Sequence, residues 1–385
     1  MTSRSCPRCF AFFCAAVMLL APLSLASAAD QQHLDQASQS LERGIAYLRQ
    51  IQAEDGSWST RGGPGITALC TQVLLDDPNT PSDDPAVKKA IDFILTNVHE
   101  DGSIHGGMLQ TYNTAICLST LSRVSDRPEL AQVIKNAQNF LKSVQWNDTM
   151  TDPKGDKVDA KHPWYGGVGY GPGSRPDMSN LFYMLQAFQD SGVDCNDPSV
   201  KRAVAFVSRL QGIEQNDTLN DTQVVMDGAV IYSSPADVGQ KRPRHEQGGQ
   251  EPKGPLRGYG TMTYAAFKSY IYAQLDKNDP RVVAAKKWLL DNWTVDANPG
   301  LPAEQSDNGL FYYFVTMSKA LNANGECPLK TADGKEIDWQ NNLIAKLASI
   351  QQEDGSWQGS KRWHEDSKDL ATAYACIALQ AAQGE

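Results

Sequence analysis

Near the beginning of the chain stands Gln52-Ala53-Glu54-Asp55-Gly56-Ser57-Trp58, and near its end stands Gln352-Glu353-Asp354-Gly355-Ser356-Trp357. A third, worn copy is Asp101-Gly102-Ser103-Ile104. The stretch reads as a turn: Asp and Ser cap flanking backbone, Gly supplies a positive φ, and Trp packs against the next repeat. Its recurrence at matching places marks Asp55 and Asp354 as structural. Ahead of the copies run apolar helical faces, Leu41, Ile45, Leu48 and Ile51 in the first unit and Val87, Ile91, Ile94 and Val98 in the second. After each copy a second helix opens with small residues: Thr67-Ala68-Leu69-Cys70, Thr114-Ala115-Ile116-Cys117 and Thr372-Ala373-Tyr374-Ala375-Cys376. The unit is therefore helix, turn, helix.

Three further units lack the signature but keep the pattern, with helices predicted at 130–145 and 178–190, 199–211 and 261–275, and 281–293 and 308–322. One pair cannot bury its apolar face alone, so pairs must stack. Six antiparallel pairs can close into a double ring with the second helix of each pair inside. The fold class expected is all-α, an α6/α6 toroid (a closed double ring of six helical hairpins) over about residues 33–383. An open superhelical stack is the rival, but such arrays keep a fixed period, whereas the spacing here runs from about 46 to about 80 residues. The long segments 146–177, 212–260 and 294–307 each join a first helix to its second, which sets them on one rim.

The 385 residues carry a formal net charge of -10 with dispersed basic residues, which argues against nucleic acid as a partner. Residues 1–28 read as a secretory signal peptide: Arg4 and Arg8 precede an apolar run from Phe10 to Leu25 that closes on Ala26-Ser27-Ala28. A retained anchor is the rival reading. Cleavage leaves a single domain, 29–385, secreted or periplasmic, in which no later stretch is apolar enough to span a bilayer. Cys70, Cys117 and Cys376 lie in apolar helical patterns and are expected in the core. Cys195 and Cys327 lie in polar loops where an oxidising compartment would let them pair, but an odd total with irregular spacing is no disulfide framework.

The two Gln-x-x-Asp-Gly-Ser-Trp copies resemble the glutamine-tryptophan repeats of squalene-hopene and oxidosqualene cyclases. At repeat level the likeness to the squalene cyclase and protein prenyltransferase superfamily extends over 29–385. It implies a terpenoid-cyclase-like α/α toroid whose aromatic cavity stabilises cationic intermediates. The class II cyclase motif, Asp-x-Asp-Asp followed by Thr-Ala, is not present. The nearest stretch, Asp366-Ser367-Lys368-Asp369-Leu370-Ala371-Thr372-Ala373, reads as acidic capping of a helix. The prenyltransferase zinc set, an Asp-x-Cys pair with a distant His, is not reproduced, because Asp194 and Cys195 are adjacent. No metal and no cofactor is expected.

Three functions compete on this reading. A cyclase-like or prenyltransferase-like enzyme would take a bulky apolar ligand. A polysaccharide lyase or hydrolase would need two carboxylates on one cleft or a base beside an arginine, and Asp177, Asp307, Glu365 and Asp366 with Arg175 and Arg257 are the candidates. A non-catalytic module would present its rim to a glycan, a peptide or an envelope protein. The site is expected at the insertion-bearing rim where the inner helices begin. Its catalytic candidates are Asp177, Glu365 and Asp366. Ligand-binding candidates are Trp164, Tyr165, Tyr170 and Arg175 in the first long insertion, then Arg257, Tyr259 and Tyr264 around the end of the second. Tyr312, Tyr313, Trp363 and His364 complete the set. Glycines at 166, 167, 169, 258, 260 and 309 flank the aromatics and let the backbone approach a ligand. A cap is the competing role for Asp177, with Arg175 as its surface partner.

Overall fold

Asp55, Asp101 and Asp354 build the same turn. Each carboxylate accepts the backbone N–H of the serine two residues on, at 3.0, 2.9 and 3.1 Å, and that serine's hydroxyl as well. The intervening glycine holds a φ of +87°, +87° and +85°. A Cβ on Gly56 would lie 2.3 Å from the Lys89 carbonyl oxygen, so the turn and the packing both demand glycine. The threonine of the following Thr-Ala step then accepts a backbone N–H from the turn: Trp58 to Thr67 at 3.1 Å, Ile104 to Thr114 at 2.8 Å, Trp357 to Thr372 at 3.0 Å. Trp58 and Trp357 are buried, and each indole N–H donates to a carbonyl ten residues upstream, Leu48 and Leu347, at 2.8 Å.

In four of the six pairs a glutamine carries the repeat to the next. Gln52 donates to the Gly56 carbonyl at 3.0 Å and to that of Ala86, in the following outer helix, at 2.9 Å. Gln145 does the same with Gly166 and Ser199, and Gln211 with Gly228 and Arg281. Two units without the sequence signature thus keep its bond.

The computed structural model describes residues 29–60, 62–81, 83–124, 127–219, 224–235 and 255–384; the signal-peptide reading of 1–28 lies outside them. The outer helices are α1 (Gln31–Ile51), α3 (Pro85–Leu95), α5 (Ala131–Val144), α7 (Pro198–Leu210), α9 (Pro280–Asp291) and α11 (Trp339–Ser349). The inner helices are α2 (Gly65–Leu75), α4 (Gln110–Leu121), α6 (Met178–Asp190), α8 (Gly260–Tyr272), α10 (Leu310–Asn324) and α12 (Lys368–Gln383). These are the six expected pairs. Inner helices touch in the order α2, α4, α6, α8, α10, α12, and α12 returns to α2. The architecture is an all-α double ring, and the sheet found among the described residues is one short hairpin of Leu329–Lys330 and Glu336–Ile337.

Composition explains the two layers. Five outer helices open on an aspartate whose side chain accepts a first-turn N–H (Asp30, Asp84, Asp197, Asp279, Asp338), and α3, α7 and α9 add proline in the first turn. Inner helices are enclosed all round: in α12 every residue from Asp369 to Ala382 is buried. Cys70, Cys117 and Cys376 lie in this core. Cys195 and Cys327 are unpaired, so the bond that their loop positions allowed is not made, and the Cys327 thiol donates to Gln340 Oε1 at 2.7 Å instead. No helix among the described residues is long and apolar enough to cross a membrane.

Candidate functional site

The antiparallel pairing starts every inner helix at the same end of the ring, and there a cavity of about 770 Å³ opens. Each inner helix contributes from its first two turns: Ile66 from α2, Tyr112 from α4, Ser179 and Tyr183 from α6, Met262 from α8, Tyr312 from α10, Leu370 and Tyr374 from α12. Two long insertions add Tyr170 and Tyr232, and the rest of the wall comes from the strap 361–367 ahead of α12 and from Ser59, Gly62, Gly63 and Leu109 ahead of α2 and α4. The volume lies in the range of small-molecule sites.

Tyrosine dominates the lining. The rings of Tyr183 and Tyr312 stack at 5.6 Å with 9° between planes, Tyr374 lies 5.8 Å from Tyr312, and Tyr112 meets Tyr183 edge-on at 5.0 Å. The hydroxyls meet in groups: Tyr374 is 3.0 Å from Tyr183 and 3.3 Å from Tyr112, Tyr312 is 3.0 Å from Ser179 Oγ, and Tyr170 is 3.4 Å from Tyr232. The surface therefore offers both flat apolar faces and hydroxyl donors.

Inner-helix N-termini bring partial positive charge to this end. Helices α2, α4, α8, α10 and α12 have no side-chain cap from their own N-cap residue. Three are capped from elsewhere: Asn113 accepts from Gly65 N at 2.8 Å, Asn298 from Thr261 N at 3.2 Å, and Glu365 from Tyr312 N at 2.8 Å and Phe311 N at 3.3 Å. Burial pushes the Glu365 carboxyl up to about 8 although backbone N–H groups at the start of α10 pull it down. Asp177 caps α6, accepting from Asn180 N and Asn180 Nδ2, both at 2.8 Å. Burial raises its carboxyl to about 6 against those bonds and one from the Tyr232 hydroxyl. Asp366, on the strap, is exposed.

The strap is conformationally tense. Trp363 and His364 hold φ at +57° and +65°, and Leu109, across the cavity, holds +51°. Left-handed non-glycine backbone of this kind gathers at functional sites. Gly309 makes room for it: a Cβ there would lie 2.5 Å from the Trp363 ring.

Of the residues singled out in the sequence, Tyr170, Tyr312, Trp363, His364, Glu365 and Asp366 line the cavity together. The others lie outside its lining. Trp164 packs on Trp146 at 4.9 Å, and Tyr165 lies under the Arg209 guanidinium at 5.9 Å. Tyr259, Tyr264 and Tyr313 are buried in the core, with the Tyr313 hydroxyl donating to the Thr294 carbonyl at 2.8 Å. Arg257 is exposed, Arg175 half-buried, and Asp177 sits behind Tyr232. Tyr112, Tyr183, Tyr232 and Tyr374 line the cavity without having been singled out. Three of them lie in the first two turns of inner helices, but so do Tyr264 and Tyr313, which pack in the core, so position alone did not single them out. Among the described residues no group of three His, Cys, Asp or Glu side chains is placed to hold a metal.

No protein-family model and no curated protein matches the sequence. Solved structures do. A type II terpene cyclase (MstE) from Scytonema, in complex with geranylgeranyl dihydroxybenzoate, superposes with a TM-score of 0.55 at 12% identity, over 92% of this chain and 98% of that one. The chain has the terpenoid-cyclase-like α/α-toroid fold. The same toroid is similar to an α-amylase from Clostridium perfringens, with a TM-score of 0.55 at 12% identity over 89% of this chain and 97% of that one. It is similar also to the GH76A α-1,6-mannanase of Salegentibacter in complex with α-1,6-mannotriose, with a TM-score of 0.56 at 9% identity over 90% and 99% of the two chains. At these identities the likeness of the toroids is one of fold.

Proposed function

We propose that the protein is an exported binding protein whose tyrosine-walled cavity holds a small molecule bearing a hydroxylated ring, a glycan segment in the first instance. The observation that carries this reading is the pairing of stacked aromatic faces, Tyr183 on Tyr312, with hydroxyls contributed from four different inner helices and two insertions. A sugar ring has the matching features, an apolar face and a hydroxylated edge. The α-1,6-mannanase with its bound mannotriose is consistent with a glycan in a cavity of this fold. Export rests on the amino-terminal segment 1–28.

Binding is favoured over turnover because the two buried carboxyls are committed to the scaffold: Glu365 caps α10 and Asp177 caps α6. A glycan hydrolase or lyase is the second reading, favoured by Glu365 in the cavity wall, whose carboxyl burial raises to about 8, the direction a general acid requires. A terpenoid-cyclase-like activity has the aromatic cavity but not the acid motif. Thermal-shift titration of the secreted chain with manno- and gluco-oligosaccharides, and with geranylgeraniol for comparison, tests the reading. A shift with an oligosaccharide is expected. A shift with the isoprenoid alone would overturn the glycan assignment, and release of reducing ends would replace binding by hydrolysis.

A further inference from the structure

Side chains are layered along the ring axis. Cavity-lining residues of the inner helices are followed, one turn deeper on the same helix face, by buried apolar ones: Ile66 by Leu69, Tyr112 by Ile116, Tyr312 by Val315 and Tyr374 by Ile377. These four deeper residues meet around a void of about 10 Å³, room for no more than one water molecule. Tyr183 borders that void and the cavity alike, so its side chain is part of the partition between them. A further turn down, the layer is polar and cross-linked: Gln72 donates to Thr120 Oγ1 at 3.0 Å, and Gln380 to the Val73 carbonyl at 3.0 Å. The axis is therefore filled below the tyrosines.

The cavity is correspondingly shallow. Every inner-helix residue of its lining lies within the first seven residues of its helix, a depth of about 10 Å at about 1.5 Å per residue. Its sides are closed as well. The inner helices touch in an unbroken circle, and five of the six connections from an outer helix to its inner partner stand around the mouth, through Gly63, Leu109, Tyr170, Tyr232 and Trp363. The result is a pit open at one end. An internal segment of a polymer needs two openings, one for each flanking stretch of chain, whereas a chain end needs one.

We propose that the cavity is a socket for chain ends: the terminal rings of a glycan enter it end-on, and internal segments are excluded. The inference rests on the reading of the cavity as a glycan site and specifies which part of the glycan enters.

Isothermal titration with two length series tests it, α-1,6-mannotriose against linear α-1,6-mannan and maltoheptaose against amylose, together with β-cyclodextrin, the cyclic counterpart of maltoheptaose, which has no chain end. In the series that responds, oligosaccharide and polymer should bind within about threefold of one another per chain, with one protein on each chain. Where the glucans respond, β-cyclodextrin should bind at least about tenfold more weakly than maltoheptaose. Tyr312→Ala should weaken the short and the long member alike, which assigns both to this cavity. Several proteins along one polymer chain, affinity that grows in proportion to chain length, β-cyclodextrin binding as tightly as maltoheptaose, or a Tyr312→Ala loss confined to the oligosaccharide overturns the socket while leaving the glycan site in place. Failure of every one of these carbohydrates to bind overturns both readings.

Discussion

Gln351 donates its side-chain N–H to the Ser40 carbonyl at 2.9 Å, joining residues 311 apart in sequence. Gln52 makes the equivalent bond to Ala86, one repeat onward, at 2.9 Å. The ring is thus closed by the same contact that links neighbouring repeats inside it, and no special seam is needed. Gln351→Ala should leave the Ser40 and Gly355 carbonyls without their partner and lower stability by about 1–3 kcal/mol. Urea denaturation measures this. A loss under about 0.5 kcal/mol would mean that packing alone closes the ring.

Trp58 and Trp357 fill matching sites at opposite ends of the chain, both buried and both bonded through the indole N–H. Replacing either by Ala should cost about 3–5 kcal/mol, since a cavity and an unpaired carbonyl both result. The two losses should be similar. If one variant loses less than about 1 kcal/mol, the repeats are not energetically equivalent.

The helix pairs were legible in the sequence because the outer helices are amphipathic and the Asp-Gly-Ser-Trp turn is local. Gln52 and Gly56 are 4 residues apart, whereas the equivalent Gln145 and Gly166 are 21 apart and Gln211 and Gly228 are 17 apart. Insertions hide the same turn from any pattern of fixed spacing. The cavity was legible only in part, because a glycine beside an aromatic reads the same whether it serves a ligand or the core. Gly260 serves the core: a Cβ there would lie 2.7 Å from both Pro299 and Tyr313. Tyr112, Tyr183 and Tyr374 escaped for another reason. Inner helices are enclosed on every side, so apolar periodicity does not say which residue faces the axis.

Glu365 makes stability depend on pH in a stated direction. Its carboxyl is raised by burial from 4.5 to about 8 in the folded chain, so the fold favours the protonated form. That contribution is fully present below about pH 4.5 and is lost as pH rises through about 8. Glu365→Gln keeps the shape and an acceptor for α10 while removing the titration. Melting temperatures from about pH 5 to pH 9 should fall more steeply for the native chain than for the variant. Parallel profiles would show that Glu365 is ionised throughout.

The central claim is that a ring-bearing ligand sits between the inner helices at their N-terminal ends. Tyr312 is its most direct probe, because this residue stacks on Tyr183, meets Ser179 through its hydroxyl and is only half-buried. The decisive measurement is calorimetric titration of one responding oligosaccharide into the native protein and into Tyr312→Ala, with melting temperatures recorded for both. The account predicts measurable binding to the native chain and at least about a tenfold loss in a variant that still melts cooperatively. Unchanged affinity in a folded Tyr312→Ala would contradict it.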